Sequence, residues 1–314
     1  MKKKLTTDNR QLTTRRKPLV SVIMPVYNGS RFVGKAIESI LTQTYPRWEL
    51  LIADSGSDDD TWKILKRYKK LAPRKIRLFR LHKNGGPSST SNYLYQFARG
   101  AYIAPMDADD VSHRKRLTKE VTFLETHEDV MLVGSNVKVI DAKGKITGYK
   151  HCPVDHDNIA KRMAFVNPIV HPSVMIRRSM LPKRDYLYFT AYGVNSDYYT
   201  FFEWLKCGKF AGIPEYLLSY RVHDHNSSLL HLKSKFMTIT KARLDAVTKL
   251  GYHAPVLMFP AILLQALIVT ILPESWLKEL FFYLRGVKKP KFKLPPFSFT
   301  VTIAKMKEYA PSFR

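Results

Sequence analysis

The sequence predicts an α/β fold built on a doubly wound, mostly parallel sheet, and three observations produce that expectation. Near-continuous apolar runs alternate with helical stripes between Leu19 and Met106, the pattern of βαβ units with strands buried on both faces. Polar side chains gather where each apolar run stops, and in such sheets ligands bind beyond the carboxyl ends of the strands. Finally, 314 residues with 45% hydrophobic side chains are enough to bury a full core.

In chain order, residues 1–18 read as a disordered basic arm. Seven Lys or Arg stand against Asp8 alone in the first 17 residues, with almost nothing apolar. Leu19 to Pro25 is the first strand, broken by the turn Val26-Tyr27-Asn28-Gly29. Phe32, Val33, Ala36, Ile37, Ile40 and Leu41 then recur at helical spacing. Trp48 to Ala53 is a second strand ending at Asp54-Ser55-Gly56-Ser57-Asp58, and Trp62, Ile64, Leu65 and Tyr68 mark the next helix. Ile76 to Leu81 is a third strand, followed by the glycine-rich turn Lys83-Asn84-Gly85-Gly86 and a helix through Ala98.

Tyr102 to Met106 forms the next strand and ends in Asp107-Ala108-Asp109-Asp110, three carboxylates within four residues. Carboxylates this close repel one another unless a cation sits between them, and Mg²⁺ or Mn²⁺ takes such oxygen ligands together with substrate phosphates. The competing reading is an acidic turn capping a helix that starts near Val111. Because Tyr27, Asn28, Asp54, Asn84, Asp107 and Asp109 all fall at strand ends, the metal reading is favoured.

The formal net charge of +26 implies an anionic partner: nucleic acid, an acidic membrane surface or a phosphorylated substrate. Cys152 and Cys207 lack metal-ligand spacing, and two cysteines in so long a chain suggest a reducing compartment. Met1-Lys2-Lys3-Lys4 leads into polar residues with no apolar h-region, so a cytoplasmic location is expected. No GxGxxG follows the first strand and no GxxxxGK[ST] occurs, which removes the usual support for dinucleotide redox chemistry and P-loop phosphoryl transfer.

Several segments in order resemble family 2 glycosyltransferases of the GT-A nucleotide-sugar fold. They are Ser21-Val22-Ile23-Met24-Pro25-Val26-Tyr27-Asn28-Gly29, Ile37 to Tyr45, Ala98-Arg99-Gly100-Ala101-Tyr102-Ile103 running into Asp107-Ala108-Asp109-Asp110, His171-Pro172-Ser173-Val174-Met175 and Leu218-Ser219-Tyr220-Arg221-Val222-His223. The resemblance covers residues 19–230, the expected catalytic domain. It implies a metal-dependent, inverting transfer of one sugar from a nucleotide-diphosphate donor, a UDP-sugar by expectation, to a glycan or lipid-linked acceptor. Cell-surface polysaccharide or lipopolysaccharide synthesis is the expected setting. The QxxRW motif and multiple membrane spans of processive members are missing.

By resemblance, Pro25, Tyr27, Asn28 and Asp54 hold the nucleoside, with Asp54 accepting from a pyrimidine N–H; as a local reading, Asp54 is also a good Asx-turn residue. The family usually has two adjacent Asp here, and this chain has Asp54-Ser55. Asn84 and Asn92 lie where the family approaches the donor, or are turn and helix-surface polarity. Asp107 and Asp109 match the DxD motif, Asp109 on the metal and Asp107 on the ribose or metal, with Asp110 capping the next helix. Asp197, in Asn195-Ser196-Asp197-Tyr198-Tyr199, matches the catalytic base, although Ser196 stands where a Glu is usual; a helix cap is its bland alternative. His223 matches a residue that approaches the metal or diphosphate. His171, held extended before Pro172, shapes the acceptor side.

Residues 231–314 form a helical, apolar and basic extension. Ala254 to Pro273 is twenty uncharged residues interrupted by Pro255, Pro260 and Gln265; the unbroken part suits a buried or interfacial helix better than a span. Trp276 and Leu277 follow, then Lys288, Lys289, Lys291 and Lys293, an arrangement suited to peripheral binding at an anionic membrane, on its inner face. Two other classes compete: a nucleic-acid-binding basic protein, which has no recognisable motif here and is not expected, and a weakened nucleotide-sugar binder, suggested by Ser55 and Ser196.

Overall fold

The computed structural model describes residues 17–223 and 232–284. The basic arm, apart from Lys17 and Pro18, and the Lys288–Lys293 stretch lie outside the described residues, as do Asp224, His225 and Asn226.

The first half follows the expected alternation: β1 (Val20–Val26), α1 (Val33–Leu41), β2 (Trp48–Asp54), α2 (Thr61–Leu71), β3 (Ile76–Arg80), α3 (Pro87–Tyr95) and β4 (Tyr102–Pro105). These four strands are parallel in the order β3-β2-β1-β4. Strand alternation sends Val20, Val22, Met24, Leu50 and Ile52 to the face covered by α1 and α2. Ile23, Leu51, Ala53 and Ile103 point to the other, against α3. The entry to β4 is tightly fixed: Gly100 N–H and Arg99 N–H donate to Ser21 Oγ, which donates to buried Glu49. A Cβ on Gly100 would sit 2.5 Å from Ser21 N, so only glycine fits there.

The second half adds β5 (Val111–Ser112), α4 (Arg116–Thr126), β6 (Val130–Ile140), β7 (Ile146–Lys150), α5 (His156–Met163), β8 (Met175–Arg177), α6 (Ser196–Trp204) and β9 (Lys209–Arg221). The sheet continues β4-β8-β6-β9-β5, antiparallel at β4–β8, β8–β6 and β9–β5 and parallel at β6–β9, with β7 on β6. One expectation is corrected here. The helix awaited near Val111 begins at Arg116, because Val111 and Ser112 pair with Ser219 and Leu218 of β9. Asp110 therefore caps no helix.

The extension comprises α7 (Leu232–Leu250), α8 (Met258–Ile271) and α9 (Glu274–Leu284). Buried Arg243 on α7 fastens it to the catalytic unit. Its Nε donates to Tyr198 Oη and its Nη1 to Gln265 Oε1, and it also binds the Phe165 carbonyl. Tyr192 Oη donates to Asp245 at 2.6 Å. Gln265, the lone strongly polar residue of α8, is thus the partner of a buried guanidinium. Among the described residues, no helix is long and apolar enough to cross a membrane.

Candidate active site

The turns after β1 and β2 are sewn together by side-chain hydrogen bonds, which sets the first wall of the site. Asn28 N–H donates to Ser57 Oγ, Gly29 N–H to Thr61 Oγ1 and Ser30 N–H to Asp59 Oδ2, while Asn28 Oδ1 accepts from Asp58 N–H. Asn28 adopts a φ of 49°, a left-handed conformation that asparagine tolerates. Its amide is an architectural element of the wall, and the neighbouring Tyr27 ring is 48% exposed beside it. Pro25 lies one position before the end of β1, opposite Ala53.

Asp54 closes β2 and is completely buried. Its Oδ1 accepts from Ser57 N–H at 3.0 Å and Ser57 Oγ at 2.5 Å, the Asx-type turn that local reasoning offered. Its Oδ2 has no hydrogen-bond partner, with the Arg80 guanidinium 3.9 Å away. The Asx-type turn accounts for Oδ1 alone. A buried carboxylate oxygen lacking a donor is costly and is what a ligand N–H would satisfy. Ser55, in place of a second carboxylate, shares a 2.7 Å hydrogen bond with Thr90 of α3.

The acidic run leaves β4 at Pro105, beside β1. Carboxylate oxygens of Asp107, Asp109 and Asp110 lie within 4.8 Å of one another. Burial, then Asp109, then Asp197 push the Asp107 carboxyl up to about 7; burial, then Asp109, then Asp107 raise Asp110. Clustering that penalises ionisation this much is relieved by a cation. Asp110 serves a different purpose from capping: its Oδ1 accepts from Arg221 N–H at 2.7 Å, while Arg221 Nε donates to the Asp109 carbonyl at 2.7 Å. Arg221 also donates to the Asp141 carbonyl, so the end of β9 clamps the acidic turn. His223 follows, its Nε2 3.0 Å from Asp109 Oδ2 and its ring 5.0 Å from that of Phe32. Oxygen donors plus one imidazole form a set suited to Mn²⁺ or Mg²⁺.

Asp197 stands in the first turn of α6, close enough to raise Asp107, Tyr188 and Tyr198 and to oppose the burial-driven lowering of His171. Asn195, not Asp197, occupies the position preceding the helix. Nearby Ser196 is buried and donates to the Gly193 carbonyl. His171 Nε2 lies 2.7 Å from Tyr188 Oη. Its segment is not extended as expected: His171–Ser173 forms a 3-10 turn, because Ser173 N–H and Oγ both bind the Val170 carbonyl.

Two asparagines are placed differently. Asn92 Oδ1 accepts from Leu187 N–H and Tyr188 N–H, and its Nδ2 donates to the Tyr188 carbonyl. It pins Tyr188 beneath the site through both ends of its amide. Asn84 is exposed and closes its own turn onto Gly86 N–H. Sequence reasoning missed Arg116, completely buried beneath the acidic run. Its Nη2 donates to the carbonyls of Pro105 (3.2 Å) and Val174 (2.9 Å), and its Nε to Glu120 (3.0 Å). It therefore ties the base of the acidic turn to the strand after His171. Arg116→Met is expected to cost about 3 kcal/mol in a denaturant titration, because it leaves Glu120 buried without its cation and two carbonyls without donors.

Comparison with known proteins identifies the family and the fold. The family model for glycosyl transferase family 2 matches residues 21–184. A glycosyltransferase of Haemophilus influenzae is 30% identical over 74% of this chain and 74% of its own. The O-antigen biosynthesis glycosyltransferase WbnJ of Escherichia coli is 32% identical over 67% of this chain and 82% of its own. Among solved structures, Staphylococcus aureus TarS in complex with UDP-GlcNAc has a TM-score of 0.62 at 15% identity, covering 86% of this chain and 81% of TarS. The mannosyltransferase PcManGT of Pyrobaculum calidifontis, in complex with GDP-Man and Mn²⁺, has a TM-score of 0.60 at 20% identity, covering 95% and 83%. These two share the GT-A type fold. The chain belongs to glycosyl transferase family 2 and is a glycosyltransferase.

Proposed function

We propose that this family 2 glycosyltransferase moves one sugar from a UDP-sugar to a hydroxyl of a glycan or lipid-linked acceptor, with inversion at the anomeric carbon. The observation that carries the reading is the meeting of Asp107, Asp109 and Asp110 with Asp197, which is near enough to raise the Asp107 carboxyl. Asp54 Oδ2, buried and lacking a hydrogen-bond partner, accepts the uracil N–H, and the exposed Tyr27 ring flanks the base. Asp109 and His223 with Asp107 would hold a divalent ion, which when bound would supply Lewis-acid stabilisation of the departing nucleoside diphosphate. Asp197 takes the proton from the acceptor hydroxyl as that oxygen attacks the anomeric carbon opposite the leaving group. A single base with no covalent sugar intermediate inverts the centre. The ligands of the two solved neighbours, UDP-GlcNAc and GDP-Man with Mn²⁺, support a nucleotide sugar and a metal. The name of WbnJ supports an acceptor within a cell-surface polysaccharide.

Calorimetric titration of UDP tests the donor half. Binding is expected with Mn²⁺ and at least about tenfold weaker without it. If UDP and the other nucleoside diphosphates all fail to bind in both conditions, the reading is wrong.

A further inference from the structure

The underside of α8 is accounted for: Met258 is buried and Gln265 binds Arg243. Its other side is not. Phe259, Leu263, Leu267 and Ile271 recur every four residues, which places them along one line of the helix. They are exposed by 48%, 71%, 56% and 67%. Val256 and Leu257 continue the apolar surface before the helix, and Trp276 extends it after. A soluble surface rarely leaves so many large apolar side chains contiguous. Nothing charged interrupts the stripe, since Met258–Ile271 contains no Asp, Glu, Lys or Arg.

We propose that this outward face of α8 docks the protein on an anionic lipid surface, with the helix lying in the plane of the interface. The helix is 14 residues long, or about 21 Å, against an apolar bilayer core of about 30 Å, so it lies on the membrane and does not cross it. Charge selects lipid over a second copy of the chain. The net charge is +26, Lys233, Lys241 and Lys249 are exposed on α7, and Arg285, Lys288, Lys289, Lys291 and Lys293 follow α9 in the sequence. Two copies would bring like charge together, whereas an anionic bilayer offers both the apolar layer and the opposite charge. Because Arg243 locks α8 to the helix that packs on α6, docking would hold the catalytic unit at the lipid surface. The proposal stands apart from the donor chemistry and can fail independently of it.

The test is co-sedimentation of the full chain with vesicles of phosphatidylcholine alone and of equal parts phosphatidylcholine and phosphatidylglycerol. Wild type is expected to pellet with the anionic vesicles, less so in high salt. L263Q/L267Q/I271Q is expected to lower the partition at least about tenfold while its melting temperature and UDP affinity stay unchanged. A brominated lipid is expected to quench part of the tryptophan fluorescence of wild type, and to quench W276F less. Equal pelleting of wild type and triple variant would overturn the proposal. So would a wild type that stays in the supernatant. In that case, a dimer dispersed by the triple substitution would assign the stripe to a second copy, and a fall in melting temperature would assign it to the chain's own remaining residues.

Discussion

Asp109→Asn is expected to lower the transfer rate by about 10³-fold and to remove the Mn²⁺-dependent part of UDP binding, without lowering the melting temperature of the metal-free protein. The two halves of this expectation have opposite electrostatic origins. In the metal-free protein, Asp109 is one of three carboxylates with oxygens inside 4.8 Å, and its charge is one of the causes that raise Asp107 and Asp110. Removing that charge relieves repulsion, and the near-isosteric amide can still meet His223, so folding has little to lose. Under the proposed function the same charge would complete the set of side chains that holds the divalent ion. The ion's effect is greatest where the leaving diphosphate gathers negative charge, so its loss appears in kcat more than in substrate affinity. Loss of one such preorganised electrostatic contact costs about 3–4 kcal/mol, which is the expected rate change. A variant as active as wild type, with UDP binding that still requires Mn²⁺, would remove Asp109 from the metal site.

How much of this was legible in the sequence depends on distance along the chain. Each βα unit of the first half is written locally: a buried run, a turn, a helical stripe. Asp54 and Asp107 were therefore found at strand ends without any knowledge of how the strands pair. What the run after Asp109 does depends on β9, more than a hundred residues later. Pairing of Val111–Ser112 with β9 displaces the helix to Arg116 and turns Asp110 from a cap into an acceptor for Arg221 N–H. Arg116 was invisible for a related reason. On a helix with alternating charges it reads as surface, and only the approach of α4 beneath β4 and β8 buries it. Asn92 shows the converse: its position drew attention to the donor, yet all of its hydrogen bonds run to the 187–188 backbone. Local pattern reports strand ends well and says little about which buried polar group a distant strand will need.

Asp197→Asn separates chemistry from binding. The substitution is expected to reduce kcat by about 10³-fold, leaving Mn²⁺-dependent UDP affinity and the KM for the donor nearly unchanged. The asparagine keeps the shape of the side chain but cannot accept the acceptor hydroxyl's proton. The structural cost is small. Asp197 sits in the first turn of α6, where a carboxylate gains about 0.3–1 kcal/mol from the helix N-terminus. A shift of that size is readable as a melting-temperature change of a few degrees at most. Two outcomes would point elsewhere. If kcat barely moves, Asp197 is a helix-stabilising carboxylate and another group takes the proton; His171 is then the first to examine, since burial lowers its pKa and keeps it neutral, able to accept. If neither wild type nor variant transfers sugar while both bind UDP with Mn²⁺, the protein is a donor-binding member of its family, with Ser55 and Ser196 as the departures to restore to acidic residues. The expected result, catalysis lost and binding kept, makes the Asp109 and Asp197 variants complementary: one removes the grip on the departing diphosphate, the other the means of activating the hydroxyl that replaces it.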